Sequence, residues 1–235
     1  MTRLFATFLV FLLSQPLVIL DLSGARPGAG TPPGWKIRTV RNQRAPDIEV
    51  RNSGDGRVLR ISGAGRAAWF YREISRPLVE SSGELRWSWR VLNAPANADM
   101  RTENLDDSPI RVYVVFGKPG LFGNASRIIF YTFGNGEPSG VDRASFVSDK
   151  LHVIKIDGAS ERTNWRDHTA NPFADYRRIW KRTPPAITAV GVMQDTDQTR
   201  AQATAEIRQL EWISVGEPAS GAEGERGQPE PIARR

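Results

Sequence analysis

"ELRWSWRV", residues 84–91, alternates without a break: Leu85, Trp87, Trp89 and Val91 fall on one side of an extended chain, Arg86, Ser88 and Arg90 on the other. Period two with large apolar groups on a single face predicts a strand half-buried against a core, with both tryptophans inside it. "IRVYVVF" (110–116) repeats the pattern, with Arg111 and Tyr113 on its less apolar side. Further strand segments are "RVLRIS" (57–62), "AAWFYREI" (67–74), "RIIFYTF" (127–133), "LHVIKI" (151–156), "AITAVGVM" (186–193) and "AEIRQLEWI" (205–213). Gly, Pro, Asn and Asp clusters separate nearly all of them. Only "NPFADYRRIWK" (171–181) has the other period. Asn171 suits an N-cap, Pro172 the first helical position, Phe173, Tyr176 and Trp180 share a helical face, and "TPP" stops it. Many short strands and one helix near 172–181 predict an all-β chain folded as a single sandwich of jelly-roll type.

The ends read differently. Arg3 precedes an apolar run from Leu4 to Leu13, a second patch "PLVIL" follows, and Ser23-Gly24-Ala25 offers a small-x-small cleavage site. Residues 1–25 are therefore expected to be a secretory signal peptide. The stretch from Leu4 to Leu20 is interrupted by Ser14, Gln15 and Pro16 and is short for a membrane span of about 20 residues. Residues 26–34, "RPGAGTPPG", read as a flexible lead, and 35–215 as the sandwich domain. Residues 216–235, rich in Gly, Pro and Glu, bury too little apolar surface to offset ordering entropy and are expected to be disordered.

Composition narrows the chemistry. With 235 residues, 40% of them apolar, the chain is long enough for a full core. It has no cysteine, which excludes thiol nucleophiles, disulfides and thiolate metal sites, and its two histidines exclude an all-histidine metal cage. Lys and Arg outnumber Asp and Glu by 32 to 26, but the positive charges are spread along the chain and do not form a nucleic-acid footprint. An exported protein, periplasmic or secreted, follows from the signal peptide.

"GVMQDTDQT" (191–199) ends an apolar strand in Asp195, Asp197 and Thr199. A phosphatase nucleophile loop of this form needs an α/β domain and a later lysine, whereas no lysine follows Lys181. Counted as a calcium loop, Asp195, Asp197, Thr199 and Glu206 occupy positions one, three, five and twelve, yet position six is Arg200 where glycine is required. In extended chain Asp195 and Asp197 point to one side. They suit a shared cation such as calcium, an arginine partner, or the capping of a turn. A second acidic spot, Asp106-Asp107, enters the strand that carries Arg111, and a sandwich can bring the two strand ends together.

The segments "ELRWSWRV", "DDSPIRVYVVF", "ADYRRIW…PPAITAVGVMQDTDQT" and "AEIRQLEWI" together resemble the bacterial domain-of-unknown-function family 3047, over roughly residues 35 to 213. The resemblance implies an exported protein of Gram-negative type, a sandwich similar to carbohydrate-binding and galactose-binding-like modules, and no established activity. Trp87, Trp89, Asp107, Arg111, Asp175, Tyr176, Asp195, Asp197 and Thr199 stand at the family's signature positions. Arg200 departs from the glycine common there, and "IIFYTFGNGEP" departs from a longer aromatic middle segment.

The expected function is an exported binding module for a glycan or other envelope component. Its candidate ligand residues are Asp107, Arg111, Trp165, Asp175 and Tyr176, and its candidate metal residues Asp195, Asp197 and Thr199. Trp165, in the polar stretch "RTNWRDHTANP", is the tryptophan most suited to an exposed position. One alternative is an envelope-polymer hydrolase or lyase pairing Asp107 with Asp195 or Asp197, or using His168 beside Asp167 as a base. The other is a structural or interaction protein that meets anionic polymers by charge alone. No G-x-S-x-G elbow supports a serine nucleophile.

Overall fold

The Trp87–Trp89 segment lies at the middle of a two-layer sandwich. A computed structural model describes residues 15–54, 56–79, 83–118, 126–138, 140–161 and 163–214. The strands are β1 (Leu17–Val18), β2 (Gly28–Ala29), β3 (Lys36–Thr39), β4 (Asp47–Ser53), β5 (Gly56–Ala64), β6 (Ala67–Leu78) and β7 (Gly83–Asn93). They continue with β8 (Ser108–Phe116), β9 (Arg127–Phe133), β10 (Asp142–Ala144), β11 (Leu151–Asp157), β12 (Arg166–Ala170), β13 (Ile187–Asp195) and β14 (Gln202–Ser214), with helix α1 (Pro172–Trp180) between β12 and β13. One seven-stranded sheet runs β12-β7-β14-β5-β4-β2, with β1 added beside β14. The other runs β10-β11-β9-β8-β13-β6-β3. The chain crosses between sheets at β2–β3, β3–β4, β5–β6, β6–β7, β7–β8, β11–β12, β12–β13 and β13–β14, the winding of a jelly roll.

Alternation on β7 does what its sequence predicts. Leu85, Trp87, Trp89 and Val91 meet Ile110, Val112, Val114 and Phe116 of β8 in one core, and Trp87 and Trp89 are fully buried. The β8 expectation needs correction. Its less apolar side, Arg111 and Tyr113, is buried as well, because Trp69, Met100 and Phe130 pack over the outer face of that sheet. The Trp69 and Tyr113 rings meet edge-on at 5.0 Å.

Helix α1 forms as its caps predict. The Asn171 side chain accepts from the Ala174 N–H at 3.0 Å, and Lys181 closes the helix in the left-handed region at φ 53°. Phe173 and Tyr176 are buried against Phe116, with ring centroids at 5.7 and 4.7 Å. β12 comes from the polar "RDHTA", which shows no apolar alternation because it is an edge strand paired only with β7.

The N-terminal side departs from expectation. Residues 1–14 and 215–235, with most of the predicted signal peptide and the whole predicted tail, lie outside the described residues. Residues 17–35, however, are packed. β1 pairs with β14, β2 pairs with β4, and Ile19, Leu20, Leu22 and Ala25 are in the core. Trp35 Nε1 donates to the Ile19 carbonyl at 3.3 Å, and Arg72 donates to the Val18 and Ile19 carbonyls at 3.1 and 3.0 Å. The apolar patch "PLVIL" thus supplies core side chains. Among the described residues no helix is long and apolar enough to cross a membrane.

Truncating a buried aliphatic side chain costs about 2–5 kcal/mol. A chain that begins at Arg26 is therefore expected to unfold at much lower urea than one that begins at Gln15. Mass spectrometry of the protein as its host makes it is expected to place its first residue ahead of Leu17. Equal urea midpoints for the two chains would show that the segment contributes no stability.

Candidate functional site

β8 and β13 are neighbours, and their register sets Asp195 opposite Ser108. This pairing carries Asp107 to the turn that follows β13. The Asp107 carboxylate, 1% exposed, accepts from the Gln198 N–H at 3.2 Å, from the Thr199 N–H at 2.7 Å and from the Thr199 hydroxyl. Asp107, Asp195 and Asp197 each bring a carboxylate oxygen within 4.8 Å of the others. Asp195 is 9% exposed, and Oδ1 of both Asp195 and Asp197 is buried with no hydrogen-bond partner.

Arg111 is the cation nearest this group, but its bonds go elsewhere. Its Nη2 donates to the backbone carbonyl of Asp106 at 2.8 Å and to Asp106 Oδ1 at 3.0 Å, while Nη1 stands 3.9 Å from Asp195 Oδ2. Arg143 reaches the other Asp106 oxygen at 3.2 Å. Arg111 therefore clamps Asp106 rather than Asp107, and Thr199 acts by holding Asp107. Burial first, then the charges of Asp197 and Asp107, push the Asp195 carboxyl well above the usual carboxylate range against the pull of Arg111. Burial likewise raises Asp107, with the bonds from Thr199 and Gln198 opposing it. Glu206, the twelfth position of the calcium-loop count, lies elsewhere, held between Arg60 and Arg90 at 2.5 and 2.6 Å.

Three of the predicted ligand residues do not join this edge. Trp165 is half-buried, with the guanidiniums of Arg90 and Arg208 at 4.8 and 4.4 Å from its ring. Asp175 accepts from the Tyr131 hydroxyl at 2.8 Å and from Arg178 at 3.1 Å, and Tyr176 is a core residue under α1. His168 pairs with Asp157 and not with its neighbour Asp167, since successive residues of β12 point to opposite sides.

Sequence reasoning missed a cleft of about 410 Å³ lined by Asn135, Glu137, Lys155, Asp157 and Ser160. The buried Glu137 carboxylate accepts from the Asn135 and Met100 N–H groups at 2.7 and 3.4 Å. Asp157 Oδ2 accepts from Trp89 Nε1 at 2.7 Å and lies 2.7 Å from His168 Nε2. The loop of residues 94–107 joins cleft to acidic edge. Asn135 Nδ2 donates to the Pro95 and Ala98 carbonyls at 3.3 and 3.2 Å, Arg143 Nε to the Met100 carbonyl at 2.7 Å, and Asp106 and Asp107 close the other end. The turn signals "GNGEP" and "IDG" mark both cleft walls, but nothing in their spacing tells that they face one another.

Fold and site together define a jelly-roll β-sandwich whose polar groups gather at one loop end. The chain belongs to the family described as protein of unknown function DUF3047, whose model matches residues 33–211. Among solved structures it is similar to the family 11 carbohydrate-binding module from Clostridium thermocellum in complex with a β-1,3-1,4-mixed-linked tetrasaccharide. The TM-score is 0.48 and the identity 9%, over 87% of this chain and 99% of that one. It is also similar to the xyloglucanase domain of a type three effector from Sinorhizobium fredii in complex with cellobiose, at TM-score 0.44 and 12% identity over 82% and 100% of the two chains. No curated protein matches the chain in sequence.

Arg200 sits at φ 56°, a left-handed conformation that costs an L-residue about 1–2 kcal/mol. Part of that is returned as unfolded-state entropy when glycine replaces it, so Arg200→Gly is expected to gain about 1 kcal/mol in urea unfolding. A loss of stability would place a needed contact on the arginine side chain.

Burial raises the Asp157 carboxyl, but the bonds from His168 and Trp89 and the charges of His168 and Arg166 carry it below its ordinary value. A depressed native pKa adds stability that is complete above the unfolded value of about 3.9 and is lost as pH falls through the native one. Below that unfolded value the urea midpoint of the protein should fall more steeply with pH than that of Asp157→Asn. Parallel slopes would contradict the assignment.

Proposed function

We propose that this protein is an exported binding module that takes a hydroxyl-rich envelope polymer, a glycan above all, at its loop end. The observation that carries this reading is the cleft of about 410 Å³ beside the acidic edge. Its volume falls within the range of small-ligand sites, and its lining of amide, ammonium, carboxylate and hydroxyl groups suits hydroxyls better than lipid. Export is supported by Arg3 and the apolar run Leu4–Leu13.

Binding is favoured over turnover because the ionisable groups of the cleft are already engaged. Glu137 holds two backbone N–H groups, Lys155 donates to the Glu137 carbonyl, and Asp157 holds Trp89 and His168. A general acid or base needs a proton within reach of the substrate. In the alternative pair, Asp107 with Asp195 or Asp197, Asp107 is spent on the Thr199 turn.

Ser160 is exposed at the mouth of the cleft, so Ser160→Trp fills the cleft without touching the core. The native protein is expected to be retarded by soluble envelope polysaccharides, or to sediment with peptidoglycan, in 1 M salt, where charges are screened within about 3 Å. Ser160→Trp should lose that retention with its melting midpoint unchanged. Retention that salt abolishes and Ser160→Trp leaves intact would mean attraction by bulk charge, and no retention on any polymer would sink the reading.

A further inference from the structure

We propose that Asp107, Asp195 and Asp197 hold a divalent cation, calcium by the chemistry of the donors, which joins the loop before β8 to the turn after β13. Three carboxylate oxygens converge within 4.8 Å. Convergence alone is common among acidic groups, and the second observation is the state of the oxygens. Asp195 is 9% exposed, yet its Oδ1 has no donor, and the buried Oδ1 of Asp197 has none either. Buried polar atoms in folded proteins are nearly always bonded; the Asp195 and Asp197 carboxyls face each other closely enough to share a proton, and a cation seated between them would answer the same oxygens.

Arg111 does not meet that demand. Its Nη2 is committed to Asp106, and its Nη1 stays 3.9 Å from Asp195, beyond a hydrogen bond. The four carboxylates in the group, Asp106, Asp107, Asp195 and Asp197, face two guanidiniums, Arg111 and Arg143.

The donors also select the ion. They are all oxygens, with no imidazole or thiolate, which disfavours zinc and copper. Three carboxylates from two loops form an irregular set. Calcium accepts such a set with water in the remaining positions, whereas magnesium demands a near-ideal octahedron. The site differs from the loop reading of the sequence. Asp107, which comes from the loop before β8, takes the place of Thr199, whose hydroxyl is engaged in orienting Asp107.

The test uses the full chain stripped with chelator and calcium alone as the probe, so it stands or falls independently of any polymer. Calorimetric titration is expected to show about one calcium per chain, and millimolar calcium to raise the melting midpoint by several degrees through preferential binding to the folded state. Asp195→Asn and Asp197→Asn keep the shape and remove one charge each. Each is expected to weaken calcium at least tenfold and to lose most of the shift, while Glu73→Gln on a distant exposed ion pair keeps both. No heat and no shift in the native protein would overturn the site. So would a shift of equal size in Asp195→Asn.

Discussion

β8 is buried on both faces along all of its residues, and it carries a guanidinium that must be answered without water. A buried charge left unpaired costs several kcal/mol, so the chain around Arg111 has little freedom. Asp106 answers it from five residues upstream, with both a backbone carbonyl and a carboxylate oxygen. Arg143 then closes on the second Asp106 oxygen, and the Met100 carbonyl accepts from Arg143 in turn. One buried cation thereby fixes the loop of residues 94–107 at Asp106 and, through Arg143, at Met100. The acidic edge lies on the far side of the same clamp, where Asp107 turns away from Arg111 toward Gln198 and Thr199.

The other sheet solves a similar problem more loosely. Glu206, 1% exposed, is bridged by Arg60 and Arg90, whose side chains keep about a quarter of their surface open at 25% each. The guanidiniums of Arg90 and Arg208 then lie against the Trp165 ring, which covers one side of each head. Trp165 is thus the cover of an ion-pair system and not a free stacking platform. The difference between the faces is one of solvent. Where water remains, one carboxylate between two arginines suffices, and where it is excluded each charge needs a bond of its own.

Most of the sandwich is legible in the sequence, because alternation records which side of a strand meets the core. β7 and β14 follow their patterns closely, and α1 is announced by Asn171, Pro172 and its apolar face. Three kinds of element escape that signal. Edge strands such as β12 pair through backbone and bury little, so their residues stay polar. The segment 17–25 reads as export signal because the apolar residues that a core needs are the same ones that a signal uses. Both faces of β8 are buried, which leaves no polar side for alternation to reveal.

The site is harder to read for a different reason. Asp195 and Asp197 announce themselves within one turn, but their third partner depends on the register of β8 against β13. That register is set by apolar residues far from the acids, since a slip by one residue would turn Val112 and Val114 out of the core and Arg111 into it. Asp157 and His168 meet by the same logic, through β12 and β7 around Trp89. The polar groups of the loop end are therefore consequences of core packing. A substitution in the apolar face of β8 should be felt at the carboxylates before it is felt anywhere else on the surface, because they are the charges whose spacing the strand register controls.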